Sequence, residues 1–263
     1  MPFAVTFHVF PAPDGPLRYA LIPWDSETFG FPFIELRFAR VDHELAAQHL
    51  PALLELLDAR SQRPMLVFTK VPVAATRLAE SLTACGFYPV ETMIEPYLAL
   101  SRFRPVVERP ADGMTLRDAR EVDVPRLVEL ARRSFHADRL HVDANLPSDK
   151  ADERFARWVI NGVRDGDMVF CYDDAKGKTI GFYHVRPTAS GTVDLSLAAI
   201  DHTYQKLGIG LLMYQAVLLE CRNRGFSLAK TRVTVHNIDV LNLFARLEFQ
   251  FRNPTLTLHR YSS

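Results

Sequence analysis

The residues with the clearest chemistry are Gln205-Lys206-Leu207-Gly208-Ile209-Gly210. They follow an alternating apolar run (Leu195, Leu197, Ala199) and open an apolar-periodic helix that closes at Gly225. A strand feeding a glycine-rich helix start makes an anion site. Unpaired amides point outward there, and the helix dipole adds partial positive charge. The glycines let a phosphate approach the backbone without a Cβ in the way. On this reading the amides from Leu207 to Leu211 cradle the phosphate, and Lys206 either pairs with it or faces solvent. No Gly-Lys-Ser/Thr follows, so this is not a P-loop. Position 213 is Met, which breaks G-x-G-x-x-G. A glycine pair between strand and helix is also an ordinary tight turn.

The spacing Q-x-x-G-x-G after a strand resembles the pyrophosphate loop of the GNAT superfamily of acyl-CoA-dependent N-acetyltransferases. The downstream segment agrees. Thr231 to Val235 alternates like a strand, Asn237 begins a helix through Leu247, and Glu248-Phe249 leads to a last strand, Thr255 to Tyr261. Phe244 stands where the family usually has Tyr, and Glu248 where it usually has Gly. The resemblance covers roughly residues 114–263. It implies an α/β GNAT fold with a mixed, mostly antiparallel central sheet flanked by helices, and acetyl-CoA as co-substrate. It implies that Gln205 through Leu211 hold the pyrophosphate. The preceding strand would splay, so that Ala198, Ala199 and Ile200 pair with the pantetheine arm. Asn237 would bond that arm or a water, and Phe244 would pack against it; Asn237 also reads as a plain N-cap. A second resemblance, to two-domain TDP-fucosamine acetyltransferases, rests on Trp24-Asp25-Ser-Glu-Thr-Phe29-Gly30, Ser134-Phe135 and Phe155-Ala-Arg-Trp158.

N-acetyl transfer needs a deprotonated amine, a polarised carbonyl and a departing thiolate. Asp194 stands eleven residues before Gln205, where some GNAT enzymes carry a base. By simple alternation it shares a strand face with Ser196, Ala198 and Ile200. His184 and His202 are alternative bases. Phe244 cannot protonate the thiolate. The thiolate leaves unassisted, or Tyr204, Tyr214 or His236 serves, or the enzyme is slow, or the domain binds CoA without catalysis. The acceptor groove is expected from residues 134–158 and the strand face at Tyr183 and His184. A polar loop there carries Ser134, His136, Arg139, His141, Asp143 and Asn145, and each residue also reads as plain surface.

Composition narrows the setting. Lys+Arg and Asp+Glu both count 31, so no global field favours nucleic acid or anionic membranes. Cys85, Cys171 and Cys221 are dispersed and read as reduced core thiols, with no disulfide framework or metal-ligand cluster. No run is long enough to span a bilayer and no signal sequence precedes it, which suggests a cytoplasmic protein. The expected partner is a small-molecule amine, and a homodimer is an open assembly.

The elements that position these groups fall into two domains, 1–104 and 112–263, joined by the Pro/Arg-rich stretch Ser101 to Asp112. The first contains two extended segments over 18–41, a helix over 42–60, a strand at Met65 to Thr69, a helix at Ala74 to Ala84 and a strand through Leu100. The second adds a helix capped by Asp123, a helix over Asp152 to Arg164, and three antiparallel strands with turns at 173–177 and Ser190-Gly191. Lys70…Leu82…Gly86-Phe87 echoes Arg232…Phe244…Glu248-Phe249 at a constant offset of 162. The N-terminal domain is therefore expected to be a smaller, partial GNAT-like α/β unit without a cofactor loop, with coincidence as the alternative. The expected function is N-acetylation of a small-molecule primary amine by direct attack in a ternary complex, and the second resemblance implies a nucleotide-linked amino sugar as the acceptor. A non-catalytic CoA-binding or interaction module is the alternative.

Overall fold

The computed structural model describes residues 5–11, 15–38, 43–107, 113–188 and 191–263. Residues 108–112 of the expected linker and Ser190 of the expected turn lie outside them. In chain order the elements are β1 (His8–Phe10), β2 (Leu17–Leu21), α1 (Pro23–Phe29), β3 (Phe33–Phe38), α2 (His43–Arg60), β4 (Met65–Pro72), α3 (Thr76–Ala84) and β5 (Tyr88–Ala99). There follow β6 (Thr115–Asp118), α4 (Val124–Arg132), α5 (Arg139–Val142), α6 (Ser148–Arg164), β7 (Met168–Asp173), β8 (Thr179–Pro187) and β9 (Thr192–Ile200). The chain ends with α7 (Ile209–Asn223), β10 (Leu228–Lys230), β11 (Val233–Thr234), α8 (Ile238–Arg246) and β12 (Gln250–Ser262).

The chain packs as two compact units. The first holds Met1–Met93, Asp138–Arg154 and Asn253–Ser263; the second holds Ile94–Ala137 and Phe155–Arg252. This division is discontinuous, unlike the 1–104 and 112–263 expected from sequence. In the first unit strands run β1-β2-β3-β4-β12, antiparallel except for β3 beside β4. In the second they run β5-β10-β9-β8-β7-β6, with β10 and β9 parallel. Within each unit the strands are thus mixed in direction and mostly antiparallel, with helices packed on them.

The echo at 162 is an architectural repeat. The helices α3 and α8 are both nine residues long and begin 162 positions apart. Each ends in a left-handed residue, Gly86 (φ 85°) and Glu248 (φ 62°). Each turn is closed by the same bond, Phe87 N to Leu82 O and Phe249 N to Phe244 O, both 3.0 Å. Yet β4 of the first copy pairs with β12 of the second, and β10 of the second with β5 of the first. Every unit is completed by the last strand of the other copy, which is why packing does not follow sequence order.

Three local expectations change. Residues 23–29 between β2 and β3 are helical, not extended: Pro23 starts α1 and Gly30 (φ 83°) ends it. Residues 101–107 are mostly exposed but are tied down rather than a free linker. Phe103 is buried in the second unit's core, and the Val106 and Val107 amides donate to the buried Gln215 side chain. Asp123 does not cap α4; its carboxylate takes Arg117 and the Arg120 amide.

Candidate active site

All of the loop from 201 to 211 belongs to the second unit. Asp201 anchors its entry. That carboxylate accepts from the Thr203 amide (3.1 Å) and hydroxyl (2.8 Å) and pairs with Arg126 of α4. Arg126 also donates to Thr179 O (3.0 Å) and Glu129 (2.8 Å). Burial pushes the Asp201 carboxyl up, but the bonds from Arg126 and Thr203 outweigh it and hold the group well below the usual range. Gln205 Nε2 donates back to Ile200 O at 3.1 Å. Lys206 (φ 62°) and Gly208 (φ 79°) then take left-handed conformations, an alternation that turns successive amides to one side. Among the described residues the amides of Lys206 through Gly210 have no protein acceptor. A Cβ built on Gly208 would meet nothing within 4 Å. Leu207 and Lys206 are exposed, and Ile209, Gly210 and Leu211 begin α7. The result is an open amide cradle at a helix N-terminus, which fits a pyrophosphate.

The strand that feeds this loop is unpaired along one edge. The parallel ladder between β10 and β9 covers only Thr192–Asp194. Thr231 Oγ1 then donates to Leu195 O (2.6 Å), and β9 runs on to Ile200 without a strand on that side among the described residues. Ala198, Ala199 and Ile200 lie on this free edge. The antiparallel ladder from β8 slips between His184 and Val185, leaving Ser196 as an extra residue in β9. That bulge exchanges the faces of the strand. Val193 and Leu195 pack with α7 residues, whereas Leu197 and Ala199 pack in the other cluster with Leu127, Phe155 and Val159. Ala198 and Ile200 pack against the α7 side. Asp194 therefore does not share a face with Ala198 and Ile200, as simple alternation would have it.

Asp194 stands in register with Arg186 of β8 and Lys230 of β10. It is half-buried, and among the described residues its carboxylate makes no hydrogen bond. Burial pushes it up, while Lys230, Arg186 and Arg232 pull it down less strongly. His184 is fully buried. Its Nε2 lies 2.9 Å from Asp167 Oδ2 and, among the described residues, its Nδ1 has no partner. The ring abuts α6 so closely that a Cβ at Gly162 would lie 2.6 Å from Nε2. Burial lowers the imidazole's proton affinity, against the pull of Asp167. The Tyr204 hydroxyl donates to Asp174 at 2.9 Å, which raises its pKa. His202 is exposed beside Asp201. Tyr214 is wedged edge-on between Tyr183 (4.8 Å) and Phe244 (5.5 Å), its hydroxyl pushed up to about 12 by burial. His236 is exposed.

Asn237 caps α8, its Oδ1 accepting from the Val240 amide at 3.3 Å. Phe244 is 2% exposed and packs on Tyr214 and Phe249. The expected polar acceptor loop is divided. Ser134 and His136 belong to the second unit, where Ser134 Oγ donates to Leu130 O. Arg139, His141, Asp143 and Asn145 belong to the first unit. There Arg139 pairs with Asp25 (3.0 Å), and Asp143 accepts from His259 (2.7 Å) and Tyr88 (2.8 Å). Sequence reading missed the Arg126–Asp201 anchor, Asp167 and the Arg186–Asp194–Lys230 row. All depend on pairings between strands or helices far apart in the chain, and only the strand alternation hinted at the last.

No described helix is long and apolar enough to cross a membrane. No curated protein matches the sequence. Solved structures do resemble the fold. A GCN5-related N-acetyltransferase from Sphaerobacter thermophilus matches with a TM-score of 0.70 at 15% identity, over 95% of this chain and 78% of its own. One from Kribbella flavida matches at 0.66 and 14%, over 99% and 91%. A tandem GNAT protein of the clavulanic acid biosynthesis pathway, solved without acetyl-CoA, matches at 0.63 and 15%, over 94% and 78%. These identities establish the fold alone. Residues 124–249, from α4 through the cradle to Phe249, match the Acetyltransferase (GNAT) family. Across that span the chain is similar to the GNAT acetyltransferases, a family that uses acetyl-CoA as co-substrate.

Proposed function

We propose that the second unit moves an acetyl group from acetyl-CoA to a primary amine of a small molecule, by direct attack in a ternary complex. The observation that carries this is the unpaired edge of β9 running straight into an open amide cradle. The pyrophosphate sits on the amides of the 205–211 loop. The pantetheine arm adds to β9 at Ala198, Ala199 and Ile200, with the Asn237 side chain and the Phe244 ring as lateral contacts. Asp194 receives the amine's proton; its burial-raised pKa suits a base. The new C–N bond forms as the C–S bond breaks. A thiol pKa of about 8.5 lets the thiolate leave without an acid at Phe244. His184 and Tyr204 act as positioning residues through Asp167 and Asp174. The reaction belongs to the cytoplasm, where free thiols such as Cys85, Cys171 and Cys221 persist.

The finer acceptor, an amino sugar on a nucleotide, is supported by the resemblance in the Trp24 and Ser134–Trp158 segments. The test is thiol release from acetyl-CoA by the full chain over an amine panel that includes amino-sugar nucleotides. Stimulated release, cut at least tenfold by Asp194→Asn with acetyl-CoA affinity kept within twofold, supports the roles. No binding of acetyl-CoA refutes them.

A further inference from the structure

Half-buried charges lie across the strands of the second unit around Asp194. Arg186, Asp194 and Lys230 occupy paired positions on β8, β9 and β10, and Tyr97 of β5 pairs with Lys230 on its other side. Arg232 lies two residues beyond and is exposed. Most neighbouring charges are already matched. Arg186 approaches Asp167 at 3.5 Å, and Arg252 bonds Glu95 at 2.6 Å while covering the Tyr97 ring at 4.3 Å. Three charges remain without a tight partner: one carboxylate, Asp194, and two cations, Lys230 and Arg232. Among the described residues, no nitrogen of either cation comes within 4.0 Å of a carboxylate oxygen.

This is an unusual state for adjacent opposite charges. Paired strand positions hold Cβ atoms about 5 Å apart. Long side chains at such spacing could close on one another, yet Lys230 and Asp194 do not. Asp194 and Lys230 are half-buried, so leaving them apart is costly unless something charged completes them, and the exposed Arg232 adds a second cation beside them. The complement of one carboxylate and two cations is a molecule with one ammonium and one anionic group, a few bonds apart. If Asp194 receives the amine, the anion falls to Lys230 and Arg232.

Resting on the acetyl-transfer reading, we infer that the acceptor is an amine that also carries a carboxylate or phosphate, seated with its amine at Asp194 and its anion on Lys230 and Arg232. Affinity for it falls with salt, because the exposed Arg232 is screened within a Debye length of about 8 Å at physiological ionic strength.

Matched pairs of amines test this with the full chain: L-serine against ethanolamine for a carboxylate, and glucosamine 6-phosphate against glucosamine for a phosphate. In at least one pair the anionic member should show a tenfold or greater advantage in kcat/KM, carried by KM. Lys230→Gln and Arg232→Gln should each cut that ratio at least fivefold. The pair that shows the advantage identifies the anion. Equal or better use of the neutral members, an advantage untouched by both substitutions, or binding of acetyl-CoA with no turnover in either pair overturns the anionic class and leaves the acetyl-transfer reading standing. Absence of acetyl-CoA binding overturns that underlying reading instead.

Discussion

Gly208→Val separates the cradle as a ligand site from the cradle as a turn. Gly208 sits at φ 79°, and a Cβ there meets no atom within 4 Å. The folded chain therefore loses no packing on substitution and is charged only for backbone strain, about 1–3 kcal/mol for a side chain forced into the left-handed region. For a chain of this size that corresponds to a melting shift of roughly 2–4 °C per kcal/mol. Binding suffers more. A hydrogen bond to a charged group contributes about 1.5–3 kcal/mol, and a branched side chain in the empty space keeps the phosphates from several amides at once. Loss of even two such bonds is at least about 3 kcal/mol, or more than a hundredfold in Kd. Calorimetric titration with CoA measures this, and titration with pantetheine, which has no pyrophosphate, isolates it. Gly210→Ala is the control, because its Cβ would make ordinary contacts of 3.5 Å with Leu243 and 3.6 Å with Ile200. A folded Gly208→Val protein that binds CoA within threefold of the unsubstituted chain would refute the cradle.

Other substitutions test separate parts of the account. Phe244→Tyr puts a hydroxyl into a site that is 2% exposed; a loss of about 1–3 kcal/mol in denaturant unfolding is expected, with kcat changed less than about threefold, and a tenfold gain would show that an acid was missing. Glu248→Gly should stabilise by about 1 kcal/mol, since it relieves a left-handed non-glycine residue, while Gly86→Glu at the repeat-related position should cost a similar amount. Glu91 in the first unit is pushed up to about 7 by burial, with Lys70 and Arg139 opposing. Its folded pKa exceeds the unfolded value, so its contribution is intact below about pH 4.5 and is lost as pH rises through 7. Glu91→Gln should accordingly raise stability at pH 8 by about 3 kcal/mol relative to its effect at pH 4.5. Equal effects at the two pH values would contradict the burial argument.

The loop was legible because its signals are local: two glycines, a preceding alternation and a following periodic helix all act within a few residues. The same holds for α3 and α8, whose equal lengths and left-handed ends made the repeat visible at a fixed offset. The exchange of β5 and β12 was not legible, since a strand's sequence states which face is apolar and not which neighbour it pairs with. The bulge at Ser196 was hidden for a related reason. Alternation of burial continues unbroken through β9, and only the partners of Leu195 and Leu197 reveal that the faces have exchanged. That single extra residue moved Asp194 to the face shared with Arg186. Tyr204 and His184 looked like acid–base groups by type, but their carboxylate partners, Asp174 and Asp167, come from turns that precede β8 in the chain. Residues 23–29 read as extended around Gly30 because the short helix there has no side-chain cap to announce it.

Hydrogen exchange of the full chain, with and without saturating acetyl-CoA, reads directly whether the cradle and the open edge of β9 hold the cofactor. New protection is expected at the amides of Lys206 to Gly210 and along Ser196 to Ile200, at one acetyl-CoA per chain, with none over the repeat-related α3 and β4. Protection elsewhere with those two segments unchanged would contradict the assignment of the cradle and the open edge of β9 as the acetyl-CoA site.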